Sequence, residues 1–362
     1  MSSQDTFYFG AGPATLPHEV LVTIQRELID FQGTGLSVLE LSHRSELFAD
    51  VLNQAESLLR ELMQIPDDFA VLFLHGGATA QYSMLPLNFL RKNDKADYLC
   101  SGHWSTKACR EAKHFANINE VNVLEHNEKI SICPVEQWKL HNDSVYLHYC
   151  DNETISGVAF KDSLTVEGKK IFCDMTSSIL TKPIQVQEYD FIYASAQKNL
   201  GIAGLCITIV KKAILEETNS YVPSVFDYKL SYKNNSLVNT PPTFAIYVLG
   251  LMMQWLKSQG GVSKFSAYRE ERAGSIYQLI DRSDLFKNII ADKYRSPVNI
   301  PFEFIDNEIQ EKFLQQAKKQ NLLGLRGHKS VGGARISFYN AMPLQGTERL
   351  IEFMHDFELS HT

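Results

Sequence analysis

No Cys-x-x-Cys pair occurs among the six cysteines of this 362-residue chain, which stand at positions 100, 109, 133, 150, 173 and 206. A zinc site or a dithiol redox motif therefore has no footing in the sequence, and no metal is expected. Positive charge is also in short supply. Lys and Arg total 35 against 42 Asp and Glu, a formal charge of −7. That balance argues against nucleic acid as a partner, because a phosphate backbone needs basic surface. A small anion stays open to a local cationic cluster. Long apolar runs are missing too. The longest mostly apolar stretch, residues 200–210, spans 11 residues and cannot cross a bilayer, so no membrane partner is expected. The opening MSSQDTFYFG lacks the basic and apolar regions of an export signal, so a cytoplasmic protein with reduced core thiols is expected. With 20 Gly and 12 Pro, no repeat and no charge block, the chain is no low-complexity or linker-rich protein. At roughly 150 residues per domain, its length suits about two domains.

What is present alternates. Short apolar runs at 70–74, 97–101, 121–125, 144–150, 170–174, 190–195 and 205–210 are separated by longer amphipathic stretches. Near-continuous apolar strands between helices are the mark of a mostly parallel sheet covered on both faces, an α/β fold. A helix is expected over 79–90, kinked or shortened by Pro86. The stretch 243–258 is apolar nearly all round and reads as a core or subunit-interface helix. Beyond a boundary near 256–262 the pattern becomes helix (263–281), strand (300–305), helix (307–320), strand (334–339) and helix (346–358), a smaller α+β unit.

The chemistry-bearing residues cluster after strands. Lys198, in SAQKNLG, follows the strand at 190–195. A lysine is ordinarily a solvated charge, but at a strand end of an α/β sheet it stands where ligands bind. Partly desolvated, it becomes a nucleophilic amine able to form a Schiff base. Asp174 ends the strand at 170–174 and could simply cap the next turn. Its functional reading is a carboxylate that keeps a pyridinium nitrogen protonated, as pyridoxal 5′-phosphate (PLP) requires of its electron sink. In LHGGATAQ two glycines precede a helix start, where backbone N–H groups can meet a phosphate. Trp104 and Thr154 also follow strands. Singly they read as a core residue and a turn former. Together the five places supply a phosphate cradle, a stacking ring, a phenolate partner, a pyridinium acid and an amine.

The motifs GPATLP, SVLELSHRS, HGGATAQ, HYCDNETISG, ASAQKNLG, NTPPTF and GHKSVGGARISFYNAMP run nearly the whole length. With them the chain resembles the class V, fold-type I PLP-dependent aminotransferases, and within them the phosphoserine aminotransferase family. The resemblance implies a large PLP-binding domain over 17–258 and a small C-terminal domain over 259–362, with residues 1–16 packing on the latter. It implies that Lys198 carries the cofactor, Asp174 holds its pyridinium nitrogen, Trp104 stacks on its ring and Thr154 meets its ring hydroxyl. Ala78, Thr79 and Gln197 would hold the phosphate, joined by Asn239 and Thr240 from the other subunit of a homodimer with shared sites. His43, Arg44, His328, Lys329 and Arg335 would bind the anionic groups of L-glutamate and 3-phosphohydroxypyruvate. 4-Phosphohydroxythreonine, a vitamin B6 precursor, is a further substrate that the resemblance allows. Two positions depart from the pattern. Thr79 and Lys329 stand where relatives carry Arg, and Lys329 keeps the charge without the bidentate fork. Among rivals, a cysteine desulfurase would need a nucleophilic Cys on a mobile loop, and no cysteine follows Cys206. An alanine–glyoxylate or serine-type transaminase would need only one carboxylate-binding Arg, leaving the other cations surplus. A non-catalytic phosphate-binding protein would leave Lys198 and Asp174 without a role.

Overall fold

The structure is a computed structural model and describes residues 6–361. A short strand β1 (Phe7–Tyr8) and helices α1 (His18–Glu27) and α2 (Glu46–Met63) precede the alternating region. Helix α2 forms where Ser45 accepts a hydrogen bond from the Phe48 N–H, and it ends where Gln64 turns left-handed. Its buried Phe48, Val51, Leu52, Ala55, Leu59 and Met63 recur at helical spacing and form one packed stripe. Then follow β2 (Phe69–His75), α3 (Gly77–Phe89), β3 (Lys95–Cys100), α4 (His103–Ala112) and β4 (Asn117–Asn122). A hairpin of β5 (Leu124–His126) and β6 (Ile130–Ile132) leads to β7 (Leu147–Cys150), β8 (Ile171–Asp174), β9 (Phe191–Ser195) and β10 (Leu205–Lys211). Helices α5 (Lys212–Leu215), α6 (Tyr228–Lys233) and α7 (Thr243–Ser258) close this part.

Seven strands make the central sheet in the order β2-β10-β9-β8-β7-β3-β4. All pairs are parallel except those of β10, which runs against both β2 and β9. The reason is the connection. Residues 196–204 join β9 to β10 without a crossover helix, and a connection that short can only reverse the chain. The result is the mostly parallel α/β sheet that the apolar runs indicate.

Helix α8 (Gly261–Arg282) opens the C-terminal part. It continues with β11 (Phe286–Lys287), β12 (Asn299–Phe304), α9 (Asn307–Lys319), β13 (Leu322–Leu323), β14 (Ala334–Ser337) and α10 (Leu344–Leu359). Strands β11, β12 and β14 pair antiparallel, while β13 takes β1 as its parallel partner. Phe7 and Phe9 thereby enter the same apolar cluster as Ile300, Phe302, Phe313, Leu350 and Phe353. Of the segment 1–16 expected to pack here, residues 1–5 lie outside the described residues. Among the described residues, no helix is long and apolar enough to cross a membrane.

Two local expectations need correction. Helix α3 runs three residues past Pro86 to Phe89, and the Leu90 N–H still reaches the Pro86 carbonyl at 2.9 Å. Proline forgoes only its own N–H bond to the carbonyl four residues back, and the helix is not cut short by it. The strand expected at 121–125 is divided. The Val123 N–H still bonds the Cys100 carbonyl at 3.3 Å, but its own carbonyl accepts from the Cys133 N–H at 2.9 Å, so the chain leaves the sheet there.

Phe313 is fully buried and meets the rings of Phe286, Phe302, Phe304, Phe353 and Phe357 at centroid distances of 5.0–5.9 Å. Phe313→Ala should therefore cost about 3–5 kcal/mol. Urea unfolding of the variant should show a lowered midpoint, and an unchanged midpoint would mean that this cluster carries no stability.

Candidate active site

Because the sheet is parallel apart from β10, the carboxyl ends of β2, β3, β7, β8 and β9 share one edge, and a cavity of about 510 Å³ opens there. Seven residues expected at the site line it: Ala78, Thr79, Trp104, Thr154, Asp174, Gln197 and Lys198. They lie on or just after five structural elements (α3, α4, β7, β8 and β9), so the sheet's connectivity brings them together.

Lys198 is 7% exposed, and its Nζ donates to Thr154 Oγ1 at 2.6 Å. Burial disfavours its charge and the nearby Asp174 carboxylate favours it; the balance lowers the amine's pKa to about 8. Asp174 is also buried. Desolvation pushes its carboxyl above the usual range, while hydrogen bonds from Thr176 and Tyr193 and the charge of Lys198 oppose that push. The Thr176 N–H donates to Asp174 Oδ1 at 2.8 Å, so the turn-capping bond is present, and the Tyr82 hydroxyl reaches Oδ2 at 3.4 Å. Capping and lining the cavity are therefore compatible roles for one carboxylate.

The glycine turn has a physical reason. Gly76 and Gly77 both have positive φ, and a Cβ on Gly77 would sit 2.7 Å from Ser195 Oγ. Helix α3 starts here without a side-chain cap, so its first N–H groups have no capping side chain where Ala78 and Thr79 line the cavity. Gln197, which also lines the cavity, accepts a hydrogen bond from Ser195 Oγ. Trp104 is half-buried at the start of α4, and its Nε1 is buried without a partner. An indole wall, an uncapped helix start, a buried carboxylate and an amine with lowered pKa match, group by group, what PLP binds.

Sequence reasoning missed Glu153. It is wholly buried, and its carboxylate accepts from the Trp104 N–H (2.9 Å), the Ser105 N–H (2.8 Å) and Ser105 Oγ (2.6 Å). It caps α4 from another strand end and so fixes Trp104. Gly102 makes room for it, since a Cβ there would lie 2.6 Å from the carboxylate carbon. The only signal was its place between Asn152 and Thr154 in a motif already singled out.

Other expected residues stand apart from the cavity lining. Arg335 is buried on β14, and its Nη1 donates to the Thr154 carbonyl at 3.2 Å, which ties it to the site. His328 lies with its ring 5.9 Å from that of His103, the neighbour of Trp104, and Lys329 is exposed beside it. His43 and Arg44 lie in the segment before α2, half-buried and exposed respectively, and do not line this cavity. Asn239 and Thr240 are exposed, and the Thr240 carbonyl accepts from His75 Nε2 at 3.0 Å, at the end of β2. Among the described residues, no cluster of His, Cys, Asp and Glu could hold a metal ion.

The sequence matches the family model described as aminotransferase class-V over residues 6–350. A phosphoserine aminotransferase of Acinetobacter baumannii (strain ACICU) is 46% identical, with 97% of this chain and 98% of that protein aligned. The solved phosphoserine aminotransferase of Bacillus circulans subsp. alkalophilus superposes with a TM-score of 0.94 at 35% identity, covering 99% of this chain and 100% of that one. The PLP-bound phosphoserine aminotransferase of Trichomonas vaginalis does so with a TM-score of 0.91 at 36% identity, covering 97% and 99%.

The lowered pKa of Lys198 predicts a pH signature in the cofactor-free protein. Above about pH 8 the amine is mostly neutral, and below it mostly protonated. Acylation of Lys198 by a small amine-reactive reagent, followed by mass spectrometry, should rise with a midpoint near 8, while surface lysines react only at higher pH. A Lys198 midpoint at the surface-lysine value would show that burial does not tune it.

Proposed function

This chain belongs to the class-V aminotransferase family and, within it, to the phosphoserine aminotransferases, and from that premise we propose how its residues divide the work. It is a PLP-dependent transaminase that moves the amino group of L-glutamate to 3-phosphohydroxypyruvate, giving O-phospho-L-serine and 2-oxoglutarate. The observation that carries the assignment is the buried Lys198–Asp174 pair at the strand ends, in a chain aligned over 97% of its length with such an enzyme. The alanine–glyoxylate or serine-type reading gives way to it.

When bound, PLP supplies an electron sink for bond breaking at the amino acid's α-carbon. Lys198 Nζ, neutral in an appreciable fraction near pH 8, would hold the cofactor and would serve as the base for the amino acid's α-proton. Asp174 holds the proton on the ring nitrogen by its charge. Trp104, held by Glu153, supplies the ring platform. Thr154 Oγ1 meets the ring hydroxyl. Ala78, Thr79 and Gln197, with Asn239 and Thr240 of a second copy, hold the phosphate. Arg335 takes the α-carboxylate; its burial and its anchor on the Thr154 carbonyl support that. His43, Arg44, His328 and Lys329 form a second cationic set for the substrate phosphate and, in the other half-reaction, for glutamate's side-chain carboxylate.

The same reading includes a homodimer. The exposed apolar side chains Leu21, Val22, Ile29, Leu36 and Leu39, on and after α1, would find cover in such a pairing. It also includes the division into 17–258 and 259–362, with 1–16 packing on the smaller unit, a cytoplasmic location, and 4-phosphohydroxythreonine as a second substrate.

The deciding assay pairs phosphorylated with unphosphorylated hydroxypyruvate. Hydrogen bonds to charged groups are worth roughly 1.5–3 kcal/mol. Arg44→Ala and Lys329→Ala should therefore lower kcat/KM for the phosphorylated acid about ten- to a hundredfold and much less for the other. Equal losses on both would remove the phosphate-reading role. Asp174→Asn should keep PLP yet lose most activity, because an amide stabilises the pyridinium poorly; near-normal turnover would refute its assignment. On dilution, sedimentation should show PLP released as the dimer dissociates, and a PLP-saturated, active monomer would overturn the shared site.

A further inference from the structure

His103 is the first residue of α4, directly before Trp104, and the reaction as set out above gives it no role. Its ring stands edge-on to the indole, with centroids 5.1 Å apart and 86° between the planes. The loop between β13 and β14 brings a second imidazole to the same place from the C-terminal part. The rings of His103 and His328 lie 5.9 Å apart, tilted by 49° rather than stacked. That loop is closed on itself, which fixes the second ring's position. The Val331 and Gly332 N–H groups both bond the His328 carbonyl (3.0 and 2.9 Å), and the Gly327 N–H bonds the Gly333 carbonyl at 3.0 Å. The Ser330 N–H donates to His328 Nδ1 at 3.3 Å, so in the neutral ring Nε2 carries the proton.

What surrounds the pair is positive. Lys107 Nζ sits 5.5 Å from the centroid of the Trp104 ring, and Lys329 follows His328 in the chain. Partial burial lowers the pKa of His103, and His328, Lys107 and Arg110 lower it further. Among the described residues that act on it there is no carboxylate. Glu153, which reaches the same helix start, is engaged by the Trp104 and Ser105 N–H groups and the Ser105 hydroxyl. Cations gathered without a counter-ion repel one another, and an arriving anion removes that cost. Imidazoles add what lysines do not, because each can take up its proton as the anion arrives. A phosphate ester offers three acceptor oxygens and nearly two charges, enough to accept from both rings at once.

We propose that His103 is a specificity-determining residue for the transamination: with His328 it forms a clamp of two imidazoles, one from each part of the chain, on the phosphate of the oxo-acid substrate. The inference rests on the phosphate-reading role proposed above for His328.

A titrating clamp differs from a fixed one in its pH profile. His103 is exposed at a helix start, so its replacement leaves the fold intact. With the PLP-loaded enzyme, kcat/KM is measured for phosphorylated and unphosphorylated hydroxypyruvate at about pH 6 and about pH 9, either side of the imidazole range. At the lower pH, His103→Gln should lower the value for the phosphorylated acid about tenfold. For the unphosphorylated acid the change should stay within about twofold. At the higher pH the wild-type ring is neutral as well, and the phosphorylated loss should shrink to about twofold. The substrate phosphate titrates identically in both measurements and cancels in the variant-to-wild-type ratio. His103→Arg, whose charge does not titrate, should stay within about threefold of wild type at both pH values. Equal losses on the two acids, a loss that ignores pH, or an Arg variant as poor as the Gln variant at the lower pH would each overturn the clamp. If the wild-type enzyme shows no preference for the phosphorylated acid at either pH, the phosphate-reading function falls and the clamp with it. A preference that His103→Gln leaves untouched at the lower pH overturns the clamp alone.

Discussion

The proposed function asks a lysine to lose its charge and an aspartate to keep one, and both groups are buried in the wall of a single cavity. Burial pushes both groups toward their neutral forms. For the amine that push is useful, because a neutral nitrogen near physiological pH is a nucleophile and a base. For the carboxylate it is harmful, and the structure opposes it with a backbone N–H from Thr176, two phenols and the charge of Lys198 itself. The asymmetry between the two environments decides what this edge of the sheet can do. Much of the surrounding architecture serves it.

The parallel arrangement provides that asymmetry cheaply. Strand ends bring donors and acceptors from distant stretches to one edge, and helix starts bring unpaired N–H groups beside them. Each position is then fixed by a neighbour that takes no part in the chemistry. Glu153 anchors the start of α4, Ser195 sits against Gly77, and Asn152 donates to both Ser177 and Asn299. Through Asn299 the network reaches Ser337 and Tyr339, so the strand that carries Arg335 is tied to the same core of polar bonds. Its members are buried, which makes leaving any one unpaired expensive and the whole arrangement rigid.

The elements of the fold were legible because apolar runs and helical spacing are local signals. Strands 70–74 and 205–210 need no partner to be recognised, and Lys198, Asp174 and the glycine turn each announce a strand end. What was not legible depends on two distant segments at once. Nothing near Glu153 says that it will cap a helix starting at His103, and nothing near His148 says that its ring will meet Tyr193. The reversed direction of β10 could have been read from the short connection before it. The split at Val123 could not, because it follows from the pairing of β5 with β6. Asn239 and Thr240 stand apart from the cavity lining in a single chain, as the proposed second copy would require, and His43 and Arg44 stand apart from it as well.

The pairing of β1 with β13 bears on how the protein is made. Phe7 and Phe9 complete the C-terminal apolar cluster, and Gly12 and Pro13, a few residues on, line the cavity. Their partners Leu322 and Leu323 lie more than 300 residues further along the chain. At roughly 5–20 residues per second, β1 waits on the order of tens of seconds before it can pair. During translation the central sheet can form from local crossovers, whereas this closure is among the most non-local contacts in the molecule and is slow by topology alone. The cavity wall that includes Gly12 and Pro13 is therefore finished only after the ribosome has delivered the chain past β13, so a product cut before that strand holds an incomplete pocket however well its sheet has formed.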